Sequence, residues 1–402
     1  MAVARTPDDD GAHPAGRAPG SALTSQLTDR PGGEQLRRWD ELVALSPLSD
    51  VAQTSAWARV RAHAGYRARY VLVEESGALL AGAQVLVRRI PLVGEIAYLP
   101  YGPLVAPRAA GRIDVADAVA TGLRNLAARH TRVLFVQPPE GGEGVAAALR
   151  RAGFRSSAAE VAPAASVHVD LGVDEDQLLA GLSRRLQRWT RTWEQRGVTV
   201  RPGTADDLPL MSALLAQTAE HHDFVPFGPD YLQAMHRELD AAGSVASFVG
   251  EVDGRPVAMA LLTGSGSVLK ARLVGLDRGA EAAKLNVSAA VYWTAMRWAK
   301  AQGYGWFDFG GLLPESVPAL LGPGAPRLDD LAGPDRYKVR FGGVPYRCPD
   351  PLELVPSPAV RTAYDLVRRS AAGSRFIEAA QRTARAGRFL RPGARSPRRV
   401  PS

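Results

Sequence analysis

The sequence predicts two tandem copies of one α/β unit, each a mixed sheet flanked by helices. Three observations carry this. The order strand, turn, strand, strand, helix, strand occurs twice, about 175 residues apart. Each copy has a two-residue turn signal, Ser76-Gly77 in the first and Asp253-Gly254 in the second. The last strand of the second copy, Trp306-Phe307-Asp308-Phe309, runs into Gly310-Gly311, where the backbone can turn tightly beside a ligand.

The elements follow in order. Ala52 to Ala64 has helical spacing, with Trp57 and Val60 on its apolar side. Arg69 to Glu74 and Leu80 to Val87 form a hairpin, and a third strand lies around Ile96-Ala97-Tyr98. A helix from Val115 to Ala128 leads to a strand at Arg132–Val136. In the second copy the strands are Ala246–Glu251, Val257–Thr263 and Val268–Val274. Asn286 to Ala301 is a helix ended by Gln302-Gly303, and Trp306–Phe309 closes the unit. Four segments are expected: a disordered leader (1–33), a first unit (34–172), a second unit (173–357), and a C-terminal helix with an Arg-rich tail (358–402).

With 402 residues, 46% hydrophobic, the chain can build two full cores. No run approaches the roughly 20 apolar residues of a membrane helix. Residues Met1 to Gly33 have no hydrophobic centre and read as neither signal peptide nor anchor. The single Cys348 rules out an intramolecular disulfide and fits a reducing, cytoplasmic setting. Of the net charge of +8, about +7 lies after residue 374, where eight arginines face only Glu378. The body is therefore close to neutral and not a broadly basic nucleic-acid binder. The tail is either a solubilising extension or a contact for anionic lipid head groups or RNA.

Each unit resembles the GNAT acyltransferase fold. A CoA-dependent member needs a Gly-rich loop between the third strand and the long helix to cradle a pyrophosphate. Here Gly275 to Leu285 contains Asp277 and Glu281 and lacks that glycine spacing, and the first copy offers only Tyr101-Gly102-Pro103. This points to acyl transfer without CoA, and no cofactor is expected.

Five pieces, in order across residues 36–357, are similar to the Fem family of peptidoglycan-precursor aminoacyltransferases. They are Gln53-Thr54-Ser55-Ala56-Trp57-Ala58-Arg59-Val60-Arg61, Ala97–Pro103, Pro229-Asp230-Tyr231, Asp308–Gly311, and Tyr337-Lys338 before Phe341-Gly342. The resemblance implies aminoacyl-tRNA as donor and a peptidoglycan precursor, lipid-linked or nucleotide-linked, as acceptor. Glycine or a similarly small residue would be transferred. Lys338, on an expected strand end beside Tyr337, would lie near the ester and stabilise the oxyanion or bind the terminal nucleotide. Asp308 would organise the strand end or bind the incoming ammonium. Arg61 would bind acceptor phosphate, with Tyr101, Tyr231 and Trp57 lining the acceptor pocket. An activated ester requires no Ser-His-Asp or Cys-His arrangement, and none is evident.

Three positions depart from the family: Arg61 replaces a Lys, Phe227 an Arg, and Gln137 an Asp proposed as base. Because Phe227 cannot neutralise a diphosphate, a lipid-linked acceptor is favoured. Arg184, Arg188 and Arg191 share a helical spacing, beside Arg185 and Arg196. They are either a solvated face or a track for the tRNA acceptor stem. His221-His222-Asp223 is not expected to hold a metal, since adjacent histidines rarely face one ion. The enzyme is expected in the cytoplasm, at the inner membrane face if the tail binds lipid. The residues leave open a tRNA-dependent step in antibiotic synthesis, a CoA-dependent acetyltransferase, and a non-catalytic binding protein.

Overall fold

A computed structural model describes residues 22–369 apart from 92, 160, 223–225, 278, 280–283 and 325–326. The first part of the chain comprises β1 (Thr24–Thr28), α1 (Gly33–Leu45), α2 (Ser55–Ala62), β2 (Arg67–Glu75), β3 (Ala78–Ile90), β4 (Gly94–Pro100), β5 (Leu104–Val105), α3 (Ile113–His130), β6 (Val133–Gln137), α4 (Glu143–Arg151), β7 (Arg155–Ser156) and β8 (Ala165–Asp170). Then come α5 (Glu175–Gly181), α6 (Arg184–Thr190), β9 (Val198–Pro202), α7 (Leu208–His222), α8 (Pro229–Asp240), β10 (Val245–Val252), β11 (Arg255–Ser265), β12 (Val268–Leu276) and α9 (Val287–Ala301). The chain continues through β13 (Trp306–Asp308), α10 (Val317–Leu321), α11 (Gly333–Val339), β14 (Val344–Arg347), β15 (Leu352–Leu354) and α12 (Pro358–Arg369).

The duplication is visible in register as well as order. The first sheet runs β1-β2-β3-β4-β6-β15-β7, with β5 beside β3; the second, read from its far edge, runs β9-β10-β11-β12-β13-β8-β14. Ser76-Gly77 and Asp253-Gly254 all have positive φ, as a type I′ turn demands. Each hairpin carries its bulge at the same offset from the turn, at Val73/Glu74 and at Gly250/Glu251. The central strands β3 and β11 are buried continuously from Leu79 to Val87 and from Val257 to Gly264, because helices or neighbouring layers cover both faces. Helix α9 ends as expected: Tyr304 N–H bonds to Ala299 and Gly303 N–H to Lys300, with Gly303 left-handed.

The sheets do not divide the chain at one point. Strand β8, inside the expected first unit, pairs with β13 and β14 of the second sheet; β15, from the second unit, pairs with β6 and β7 of the first. The two halves thus exchange their last strands. They also share a core, in which Val51, Ala56, Val60, Tyr66 and Leu86 meet Leu208, Met211, Tyr231, Leu232, Met259 and Leu261.

Three expectations are corrected. Residues Thr24–Thr28, read as leader, form β1 against β2, with Leu27 packed on the first core. The helix read from Ala52 starts at Ser55, because Asp50 caps a 3-10 turn over Val51–Gln53 and the Thr54 hydroxyl then caps α2. Lys338 is not on a strand end but in the last turn of helix α11, which Pro334 at its start and an apolar contact face favour. The leader up to residue 21, Asp223 of the histidine cluster and the tail from residue 370 lie outside the described residues. Among the described residues no helix is long and apolar enough to cross a membrane.

Candidate active site

Strands β12 and β13 pair in parallel over only three residues, ending at Lys270↔Asp308, after which β12 runs on to Leu276 paired with β11 on its other side. Asp308 therefore stands where the second sheet parts. Gly310, at φ +74 and packed so closely that an added Cβ would lie 2.8 Å from the Ala271 carbonyl, turns the chain away behind it.

Asp308 is fully buried, and both its oxygens are held. Oδ1 accepts from the Ser166 hydroxyl and from Gly310 N at 2.7 Å. Oδ2 accepts from the Tyr346 hydroxyl at 2.8 Å, with Lys270 Nζ at 3.2 Å and His168 Nε2 at 3.4 Å. Lys270 also donates to Asp50 at 2.8 Å and lies 4.6 Å above the Tyr101 ring; Arg272 donates to the other Asp50 oxygen at 2.8 Å and covers Trp57. The network thus joins Asp50 of the first half to β12 and β13 of the second.

Burial alone would raise both carboxyl pKa values. For Asp308, Lys270 and the hydrogen bonds from His168 and Ser166 more than reverse this, and for Asp50, Arg272 and Lys270 do so. Both acids are held well below the usual carboxylate range. Burial would likewise lower Lys270, but Asp308 and Asp50 keep it charged.

Beside this network is a cavity of about 20 Å³, lined by Asp50, Tyr101, Glu140, His168, Lys270, Asp308, Tyr346 and Cys348 among others. Glu140 follows β6 by three residues and stands at the rim, its side chain 23% exposed, with its carboxylate 3.7 Å from His168 Nδ1. Burial pushes the Glu140 carboxyl above its ordinary value and the Cys348 thiol up to about 12. The Tyr346 ring packs against the His168 ring at a tilt of 33°, with centroids 4.0 Å apart.

Of the residues predicted from sequence, Asp308, Tyr101 and Trp57 come together here. Arg61 and Tyr231 meet each other instead, across the two halves: Arg61 Nη1 donates to the Tyr231 hydroxyl at 2.9 Å, and Phe227 stacks on Tyr231. The Arg61 guanidinium is boxed by Tyr66, Tyr98 and Tyr231 and only 4% exposed, so it is not presented to a phosphate as expected. Lys338 Nζ donates to the Gly310 carbonyl at 3.3 Å, to the Gly311 carbonyl, and to buried Asp335 at 3.1 Å. An ammonium has three donors, so all of them are engaged on the turn that follows Asp308. The Tyr337 hydroxyl bonds to Ser288 while its ring packs against Phe341. Arg184, Arg188 and Arg191 lie on the exposed side of α6 and its C-cap, with Arg185 beside them, and no acid among the described residues pairs with them.

Sequence reasoning missed Asp50, Glu140, His168, Lys270, Arg272 and Tyr346. The available signal was Lys270 and Arg272 at alternate positions of an apolar strand, since two cations on one face of a buried strand need acids beside them. In the loop after β12, the Asp277 carboxylate accepts from Gly279 N and pairs with Arg255, occupying the N–H that a phosphate would use.

Comparison with known proteins agrees with this fold. A family model described as an acetyltransferase (GNAT) domain matches residues 148–339. The lipid II:glycine glycyltransferase of Staphylococcus aureus (strain COL) is 22% identical over 226 residues, covering 53% of this chain and 53% of that one. The protein of the same name from Staphylococcus epidermidis (strain ATCC 12228 / FDA PCI 1200) is 22% identical over 231 residues, 54% of this chain and 55% of that one. The chain thus spans about half the length of the curated relatives it matches. Among solved structures, FemX superposes with a TM-score of 0.70 at 16% identity, covering 85% of this chain and 99% of that one. L-PGS from Bacillus licheniformis superposes at 0.51 and 15% identity, covering 84% and 96%. In sequence the chain is similar to lipid II:glycine glycyltransferases, and in fold it is similar to FemX, with two GNAT-like units.

Proposed function

We propose that this protein is an acyltransferase that moves an aminoacyl group, glycyl or similarly small, from aminoacyl-tRNA to an amine on a lipid-linked peptidoglycan stem peptide. The observation that carries the reading is the inter-half network around Asp308, set where the second sheet parts, in a chain whose relatives are named for glycine transfer involving lipid II. Transfer from an ester needs an amine, a carbonyl and fixed polar groups where charge develops, and a pre-organised buried network meets that need without a covalent intermediate. The relatives named for lipid II support a lipid-linked acceptor. The exposed arginines of α6 support an RNA donor, since unpaired surface guanidiniums are suited to phosphate. Lys338 acts by holding the Gly310–Gly311 turn against Asp308, and Tyr337 by fixing α11 to α9.

The test supplies lipid-linked and nucleotide-linked precursor in parallel with glycyl-tRNA or acetyl-CoA. Labelled glycine should appear on the lipid-linked precursor and vanish with RNase. Acetylation from acetyl-CoA with no transfer from tRNA would refute the donor; equal use of both precursors would refute the acceptor preference.

A further inference from the structure

The cavity beside Asp308 has room for about one water molecule, the size of a primary amine's nitrogen. Its charges do not cancel. Asp50, Asp308 and Glu140 bring three carboxylates against two cations, Lys270, engaged with Asp50 and Asp308, and Arg272, engaged with Asp50. We propose that this cavity seats the primary amine of the acceptor and removes its proton, with Glu140 as proton acceptor and His168 as its positioning residue.

This rests on the transfer reading above and adds the base that reading lacks. A primary alkylammonium keeps its proton near neutral pH and has no lone pair with which to attack an ester. Gln137 cannot take that proton: it is a neutral amide, fully buried, donating to the Pro138 and Pro349 carbonyls. Three residues on, Glu140 can. It lies on the cavity wall, reaches solvent at the rim, and burial already favours its protonated form. His168 lies between Glu140 and Asp308, packed at a tilt against the Tyr346 and Trp306 rings, and spans the distance between the two carboxylates.

The step balances. The ammonium gives one proton to Glu140, and the freed nitrogen forms the amide bond as the ester C–O bond breaks. The nitrogen's second proton passes to the leaving ribose oxygen, and Glu140 releases its proton to solvent.

The direct test titrates methylammonium chloride into the full chain labelled with 15N-histidine. The His168 ring nitrogens are identified by their loss in His168→Gln. Saturable movement of these resonances, abolished by Glu140→Gln, is expected; unmoved resonances in the wild type overturn the amine seat. In the transfer assay, Glu140→Gln should lower kcat by about a hundredfold with little change in acceptor KM, and recover as the pH approaches the amine's own pKa. His168→Gln should show a smaller loss with the same recovery. An unchanged kcat, or a loss equal at every pH, overturns the proton-acceptor role. Amine binding at His168 by a wild type that transfers nothing would remove the transfer reading and leave the site standing. Transfer with unmoved His168 resonances would do the reverse.

Discussion

The ends of β6 and β13 occupy the same place in their two sheets, yet only one of them is charged. Gln137 is the last residue of β6 to pair with β4, and Asp308 the last of β13 to pair with β12. In the first half the pairing runs over five residues to the end of β4, two prolines follow, and the buried amide donates to two backbone carbonyls. In the second half it stops after three, β12 continues unpaired on that side, and a carboxylate gathers Lys270, His168, Ser166 and Tyr346. Duplication supplied two frames with one register. Closing one sheet made the first a support, and opening the other leaves the second as the proposed reaction site.

The largest expected effect separates these two positions. Asp308→Asn should destabilise by about 3–5 kcal/mol, because it leaves buried positive charge undercompensated, and should abolish transfer. Gln137→Ala should cost about 1–3 kcal/mol through two unsatisfied carbonyls and leave most of the transfer rate. Urea unfolding with a transfer assay on both variants tests this. A folded Gln137→Ala enzyme without activity would break the comparison.

Next is Lys338→Ala, which removes the partner of fully buried Asp335 and frees the Gly310–Gly311 turn. Both stability and rate should fall, the rate by about a hundredfold. Adding Asp335→Asn should restore much of the stability and little of the rate. Recovery of both would mean that Lys338 acts on the fold alone.

The dependence on pH sharpens the contrast. Asp50 and Asp308 have depressed values in the folded protein, so their stabilisation is complete above about pH 4 and is lost as the pH falls through the folded values. Lys270 is raised, so its contribution is complete below about pH 10 and is lost as the pH climbs through its folded value. Thermal melts from pH 2 to 7 should show an acid limb that flattens in Asp308→Asn and persists in Gln137→Ala.

The smallest effect on the fold should come from replacing Arg184, Arg188 and Arg191 together by Ala, within about 0.5 kcal/mol per site. Binding of tRNA should weaken, and the slope of log affinity against log salt should fall by about one per arginine that meets a phosphate. An unchanged salt slope would make this face merely solvated.

The hairpins, the long helices and the Asp308-Gly310-Gly311 strand end were legible in the sequence because turn chemistry and apolar periodicity act over a few neighbouring residues. Ser76-Gly77, Asp253-Gly254 and Gly303 had few other conformations open to them. The same local rules put Lys338 on a strand, whereas its place is decided by Asp335 one helical turn away and by carbonyls 27 and 28 residues back. Six of the residues around Asp308 come from the turn before α2, the turn after β6, and strands β8, β12 and β14, and apart from the paired cations Lys270 and Arg272 none announces itself locally. The exchange of β8 and β15 was equally hidden, since each is a short strand that would fit either sheet. Sequence alone determined that two like units would form and roughly where a polar strand end would stand. Tertiary structure decided which charges meet there, because burial makes each ion depend on partners more than a hundred residues away.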